Sequence, residues 1–321
     1  MSELVEVQNQ SISTELQEVL EKAKDYTQHA KAANTTKSYR ADWQDFTSWC
    51  QARSLSVLPA DPQTVALYLT DLADSRKTST LQRRLSAISQ AHQTAGYDSP
   101  TNSHLVRTVW AGIRRTKGVK EEGKDPILVE DLRQMVEMLP DTLTGKRDRA
   151  LLLIGFSGGF RRSELVSINR EDIQTVQRGM VVNLRRSKTD QEGRGEKVGI
   201  PRGSRPETCP LRSLEDWLTT AGITEGPIFR PINRYGQVRN RRLTDRSVAL
   251  IVKKAVESIG LDPKRFAGHS LRAGIATSAA MAGKDERAIM KQTRHKSTNM
   301  VRRYIRDGEL FNENAAMGLG L

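Results

Sequence analysis

Residues 268–306 read GHSLRAGIATSAAMAGKDERAIMKQTRHKSTNMVRRYIR. The apolar spacing in this stretch predicts three consecutive helices, at 271–282, 285–292 and about 297–304. His269 and Arg272 stand three positions apart and so share a helix face. His295 and Tyr304 are nine positions apart, two and a half helical turns. Taken singly, none of these residues announces a chemistry. A lone histidine is usually structural, and Tyr304 alone would pass for half-buried core.

Outward from this stretch, the second half of the chain mixes elements. Residues 129–139 and 144–156 carry helical periodicity, Gly158, Gly159 and Phe160 break it, and a short helix follows from Arg162. MVVNLRRS (180–187) reads as a strand, the polar DQEGRGE (190–196) as a turn, and KVGIP (197–201) as the returning strand of a β-hairpin. Helices resume at 211–221 and at 245–259, the latter capped by Thr244.

The first 118 residues carry helical stripes and no strand signal. Leu16, Val19, Leu20 and Ala23 lie between Ser13 and about Ala33. Tyr39, Trp43, Phe46 and Cys50 follow a cap at Asn34 or Thr35. Val65, Leu69 and Leu72 follow Asp61-Pro62, with proline at a helix start. Leu81, Leu85 and Ile88 follow Thr78 or Ser79, and Gly96 ends that helix. Val106, Val109, Trp110 and Ile113 follow Ser103. KGVKEEGKDPI (117–127) is charged and without apolar period, and reads as an interdomain linker. The predicted fold class is mainly α with a small antiparallel β-sheet. It divides into an all-helical unit at 1–118, a linker at 119–127 and an α+β domain at 128–321.

Composition narrows the functions open to this chain of 321 residues. The formal net charge is +13, from 51 Lys and Arg against 38 Asp and Glu. The first 25 residues are net acidic and the rest basic, which points to a polyanionic partner such as nucleic acid, with a solvated basic surface as the bland alternative. No apolar run approaches the ~20 residues that span a bilayer. The N-terminus, MSELVEVQNQSISTE, is polar and acidic rather than a secretory signal. Cys50 and Cys209 are isolated, so neither a disulfide framework nor a thiolate zinc site is expected, and the expected compartment is a reducing cytoplasm.

Five fragments remain: GFRRSEL (159–165), RRSKTD (185–190), GHSLR (268–272), TRHKS (293–297) and VRRYIR (301–306). In isolation, Arg161 and Glu164 would be an ordinary helical i,i+3 pair. In order, the fragments resemble the tyrosine recombinase, or integrase, family. Its pattern runs from an Arg in G-x-R-x-x-E-[LI], through a Lys on a β-hairpin and an H-x-x-R, to a His or Trp and then the Tyr nucleophile. The matching positions are Arg161, Lys188, His269, Arg272, His295 and Tyr304, with separations of 23 from Arg272 to His295 and 9 from His295 to Tyr304. The fragments STLQRRLSAISQAHQTAG, GHSLRAGIA and IMKQTRHKSTNMVRRYIR are similar to stretches of the Cre-type recombinases. Two departures stand out. His295 falls where Cre-type enzymes have Trp, and Thr293-Arg294 replaces the common Leu-Gly before that histidine.

The resemblance implies a two-domain, C-shaped clamp, an all-helical core-binding domain plus a catalytic domain, closing on double-stranded DNA that carries inverted-repeat sites. It implies a homotetramer on DNA, a monomer or weak association when free, nucleoid association while on DNA, and DNA integration of the kind carried out by mobile elements. Tyr304 would attack the scissile phosphate, giving a 3′-phosphotyrosine intermediate and later a Holliday junction. Arg161, Arg272 and His295 would stabilise the phosphate's charge, Lys188 would protonate the leaving oxygen, His269 would take the tyrosine proton, and Glu164 would orient Arg161 or His269. No metal, ATP or other cofactor is expected.

For DNA contact, Arg246 at the start of helix 245–259 resembles a major-groove reader and suits guanine. Lys37, Arg40, Arg83, Arg84 and Gln90 are placed on the polar faces of the second and fourth helices, where ordinary solvated charge is the alternative. In the tail DGELFNENAAMGLGL (307–321), Phe311, Ala315 and Met317 would dock on a neighbouring protomer. Two other readings stay open: a type IB topoisomerase, and a non-catalytic DNA-binding relative.

Overall fold

Asp61 and Pro62 open a helix by simple chemistry. The Asp61 carboxylate accepts from the Gln63 N–H at 2.7 Å, and Pro62 sits where its missing N–H is not needed. In the computed structural model this helix is α2 (Pro62–Ala73), between α1 (Ala33–Gln51), α3 (Thr78–Thr94) and α4 (His104–Lys117). The structure describes residues 33–118, 123–185 and 195–308, together with 16, 17, 19, 21 and 22. The chain divides into two units, residues 1–122 and 123–321.

In the first unit the predicted stripes meet. Phe46 and Cys50 from α1, Val65, Tyr68 and Leu69 from α2, Leu81, Leu85 and Ile88 from α3, and Val106 from α4 form one buried cluster. Phe46 lies edge-on to Tyr68 at 5.0 Å between ring centroids. Ser103 caps α4 as expected, accepting from the Val106 N–H. Leu16 and Val19, on the first expected helical stripe, are exposed. Leu20 and Ala23 lie outside the described residues.

Arg84 corrects the sequence reading. Its charge and its neighbour Arg83 predict a polar face, yet it is only 6% exposed. It follows Leu81 by three and precedes Ile88 by four, so the helical period turns it inward. Its guanidinium pairs with Asp45 of α1 and donates to the Tyr68 hydroxyl at 2.6 Å, which is how a buried charge is tolerated. Arg83 remains half-exposed and donates to Asp42 at 2.6 Å.

The second unit contains α5 (Val129–Glu137), α6 (Leu143–Ser157), α7 (Arg162–Ser167), strands β1 (Ile173–Val176), β2 (Gly179–Leu184) and β3 (Glu196–Pro201), then α8 (Pro210–Thr220), α9 (Asp245–Ser258), α10 (Ser270–Met281), α11 (Glu286–Thr293) and α12 (Thr298–Gly308). The sheet is antiparallel in the order β1-β2-β3, with Ile173 opposite Val182 and Val182 opposite Val198. Strand β1 has no counterpart in the sequence reading. It is four residues long and three of them are exposed, so it shows no alternation. Thr244 caps α9 as expected.

Of the expected linker, residues 119–122 lie outside the described residues. Residues 125–127 belong to the second unit: the Asp125 and Ile127 N–H groups donate to Arg265 O and Ser270 O, and Ile127 is fully buried. That segment packs close to α10, where a Cβ on Gly274 would stand 1.9 Å from Ile127 O, so only glycine fits. Among the described residues, no helix is long and apolar enough to cross a membrane.

Candidate active site

The first element of the site is a turn. Gly158 ends α6, and Gly159 takes φ 55°, a left-handed conformation natural to glycine. The chain then enters α7 with Arg161 at its N-cap. Glu164 reaches back, its Oε2 accepting from the Arg161 N–H at 2.9 Å while its other oxygen pairs with the Arg161 guanidinium. Glu164 is buried. Burial alone would raise its pKa, but the hydrogen bonds from Arg161 and the charges of Arg294 and Arg161 outweigh it and hold the carboxyl below its usual range.

Arg272 sits in the first turns of α10 with no exposed surface. Its Nη1 donates to Gly159 O at 2.6 Å. Its Nε and Nη2 are buried without a hydrogen-bond partner among the described residues. Burial first, then Arg161, pushes its pKa below the guanidinium range, yet an arginine stays charged. Unpaired buried donors on a permanent cation are expensive, and an anion is the group that would satisfy them.

His269 precedes α10 as its N-cap rather than lying inside the helix, and its ring remains open to solvent. Its Nε2 lies 3.4 Å from the Tyr304 hydroxyl. Partial desolvation, then Arg272, Arg161 and Arg162, lower its pKa from 6.5 against the opposing pull of Glu164. At neutral pH it is therefore an uncharged base. Tyr304 extends from α12, its ring 5.9 Å from that of His295 between centroids.

His295 is buried in the connection between α11 and α12. The break expected between the helices at 285–292 and 297–304 falls here: Arg294 ends α11 in the left-handed region at φ 56°. Thr293 Oγ1 donates to Ile289 O at 2.7 Å and lies 2.7 Å from His295 Nδ1. A carbonyl only accepts, so the hydroxyl proton is committed to it, and His295 must donate from Nδ1. The neutral ring then carries its lone pair on Nε2. Burial, followed by Arg272, Arg161, His269 and Arg294, holds its pKa down to about 3.

Five of the six expected catalytic residues, Arg161, His269, Arg272, His295 and Tyr304, thus converge in one place with Glu164 beneath them. Lys188 lies outside the described residues; the strands on either side of it, β2 and β3, pair as a hairpin with Leu184 opposite Glu196. Among the expected DNA contacts, Arg246 is exposed in the first turn of α9, and Lys37 and Arg40 are exposed on α1. Gln90 is half-buried and donates to Thr94 on the same helix. Arg83 and Arg84 hold the aspartates described above. Sequence reasoning missed Arg294 as part of the site. Its only signal was an arginine where the family pattern has glycine. The tail residues Phe311, Ala315 and Met317 lie outside the described residues. No group of three or more His, Cys, Asp or Glu among the described residues is placed to hold a metal ion.

Comparisons with known proteins identify the family and the fold. The model for the phage integrase family matches residues 127–309, and that for the phage integrase N-terminal SAM-like domain matches residues 20–96. The chain is 48% identical over 298 residues to an integrase/recombinase xerD homolog of Selenomonas ruminantium, covering 92% of this chain and 87% of that protein. It is 25% identical over 308 residues to recombinase cre of Escherichia phage P1, covering 90% and 88%. A lambda integrase dimer bound to a COC' core site shares the fold, with a TM-score of 0.61 at 17% identity over 88% of this chain and 92% of that one. With the family match spanning more than half its length and a relative nearly half identical along most of it, the chain belongs to the phage integrase family of tyrosine recombinases.

Proposed function

We propose that the protein cleaves and rejoins double-stranded DNA at inverted-repeat sites, through a 3′-phosphotyrosine link at Tyr304 and a Holliday junction, as a homotetramer on the DNA. Free of DNA it is a monomer or weakly associated, and it works in the cytoplasm on nucleoid DNA. One observation carries the reading: the Tyr304 hydroxyl stands 3.4 Å from His269 Nε2, close to a buried Arg272 with two nitrogens that have no hydrogen-bond partner among the described residues.

A free phenol has a pKa of about 10, so Tyr304 must lose its proton as it attacks. The proton passes to His269 Nε2 while Tyr304 Oη bonds to the scissile phosphorus. The phosphorus–O5′ bond breaks, and the departing 5′ oxygen takes a proton from Lys188 on the hairpin. Arg161 and Arg272 hold the non-bridging oxygens, since guanidinium forks match phosphate geometry. Preorganised donors of this kind are worth about 3 kcal/mol each in related oxyanion sites. His295 has its proton on Nδ1, so it donates to a phosphate oxygen only after phosphate binding raises its pKa and Nε2 gains a second proton. The energy of the broken bond is kept in the tyrosyl ester. A 5′-hydroxyl of another strand then attacks that ester and frees the phenol, which recovers its proton. The sequence as written consumes neither ATP nor a metal.

The test is incubation with a library of inverted-repeat duplexes, scoring covalent protein–DNA complexes and sequencing the DNA recovered. Adducts at a defined site that mature into recombinants support the reading. Relaxed circles without recombinants would instead indicate a topoisomerase, and site binding with no adduct would indicate a non-catalytic DNA-binding protein.

A further inference from the structure

We infer that Arg294 is a positioning residue for strand cleavage: it holds the Glu164 carboxylate and the Gly158-Gly159 turn, and through them fixes both Arg161 and Arg272. The inference rests on the function proposed above and concerns how this chain builds that site.

The backbone at Arg294 argues for a different residue. At φ 56° and ψ 41° it lies in the left-handed region, which strains a residue with a Cβ and suits glycine. The side chain offsets that strain. It is 5% exposed, so it is enclosed by protein and cannot itself grip DNA. Nη1 donates to Gly158 O at 2.9 Å and Gln292 O at 2.8 Å. Nη2 donates to Gly159 O and to Glu164 Oε2, each at 3.0 Å. The guanidinium also lies over the Phe160 ring, 5.0 Å from its centroid.

Two of the four atoms that Arg294 holds, Gly159 O and Glu164 Oε2, are also held by a residue assigned to the phosphate. Gly159 O accepts from Arg294 and from Arg272 Nη1. Glu164 Oε2 accepts from Arg294 and from the Arg161 backbone N–H, while the other Glu164 oxygen pairs with the Arg161 side chain. Arg294 therefore braces one acceptor of each catalytic arginine. Its remaining nitrogen, Nε, lies 3.8 Å from Glu196 Oε2 at the start of β3, and both atoms are buried without a hydrogen-bond partner among the described residues. A shift of under an ångström would bond them, tying the same guanidinium to the strand that leaves the Lys188 hairpin.

A glycine at 294 would suit the backbone and remove all of these ties. Glu164 would keep Arg161 alone as its cationic hydrogen-bond partner, and Gly159 O would keep Arg272 alone. Misplacing a clamp by about 1 Å can cost 100-fold in rate while leaving binding intact.

The experiment uses an inverted-repeat duplex that the wild-type chain attacks, with single-turnover adduct formation and duplex affinity measured separately. The expected result for Arg294→Gly is cleavage slowed about 100-fold with affinity within about twofold of wild type, and for Arg294→Lys a partial recovery to about tenfold slow. In a Glu164→Gln background, Arg294→Gly should cost less than it does alone but still slow cleavage, since the two changes share the Glu164 contact while the Gly159 O tie is lost only with Arg294. Cleavage by Arg294→Gly within threefold of wild type overturns the inference. So does a loss of affinity and folding that matches the loss of cleavage, which would make Arg294 merely structural. If the glycine variant does not fold, Arg294→Lys decides: slowed cleavage with undiminished affinity supports positioning, and wild-type cleavage refutes it. A wild-type chain that forms no adduct with any duplex overturns the functional reading itself, and the inference with it.

Discussion

The Tyr304 hydroxyl and His269 Nε2 lie 3.4 Å apart, and partial burial, followed by the nearby cations Arg272, Arg161 and Arg162, lowers the pKa of that imidazole below its ordinary value. A base of this kind contributes about 10²- to 10⁴-fold to a proton-transfer step. Tyr304→Phe should abolish the covalent adduct while leaving duplex affinity within about threefold, read on a denaturing gel and by mobility shift. His269→Gln should slow adduct formation by about 10²-fold at pH 7. That deficit should shrink as the pH approaches 10, where the phenol ionises unaided. A deficit constant across the pH range would mean that His269 does not take the proton.

Arg84 and Arg40 differ in burial. The Arg84 charge is buried and shared between Asp45 and the Tyr68 hydroxyl, so removing it strands partners in a low-dielectric core. Arg84→Ala should destabilise the chain by about 3 kcal/mol in urea titration. Arg40 is exposed on α1, and Arg40→Ala should alter stability by less than about 0.5 kcal/mol. If Arg40 meets a phosphate, its loss should reduce the salt dependence of duplex binding by about one unit of slope. Equal stability of the two variants would refute the assignment of Arg84.

The contrast shows where the sequence was legible. Apolar stripes at helical period placed the helices of both units to within a few residues, because burial of one face is what makes such a helix fold. Caps at Asp61, Ser103 and Thr244 were readable because a single side chain satisfies a local donor. The burial of Arg84 is not legible locally, because charge ordinarily marks the surface and its partners Asp45 and Tyr68 come from two other helices. Strand β1 was unreadable because its partner, β2, supplies nearly all its order. In the site, residue order and spacing identified the reacting groups. The shared acceptors Gly159 O and Glu164 join residues more than 100 positions apart, so no local pattern could reveal them.

Acid should weaken the fold through this site. His295 has a folded-state pKa of about 3, below the ordinary 6.5, so the folded chain favours the neutral ring. Above pH 6.5 both states are neutral and the difference is silent. As the pH falls from 6.5 towards 3 the unfolded chain takes up the proton first, and stability is lost at up to about 1.4 kcal/mol per pH unit. His269, also lowered, acts in the same direction. Glu164 does too, since a carboxyl with a lowered pKa loses its contribution as the pH falls through that value. Urea midpoints measured from pH 7 to 4 should fall for the wild type and fall less steeply for His295→Asn. Parallel slopes would contradict the burial of a neutral His295.

Thr293 sets which nitrogen of His295 carries the proton. Its hydroxyl donates to Ile289 O and accepts from His295 Nδ1, each at 2.7 Å, leaving Nε2 free to take a second proton when a phosphate arrives. Thr293→Val keeps the shape and removes both bonds. The ring would then lose its fixed tautomer and orientation, and adduct formation should slow by about tenfold, within the range seen when the partner that orients a reactive imidazole is lost. Thr293→Ser restores the hydroxyl and should recover most of the rate. Phosphate binding that protonates His295 also makes duplex affinity rise as the pH falls below neutrality, because the complex holds a proton that the free protein lacks. That pH dependence should diminish in His295→Asn. Affinity measured by mobility shift from pH 8 to 6 checks this, and a pH dependence in His295→Asn equal to that of the wild type would rule out a proton arriving on Nε2 with the phosphate.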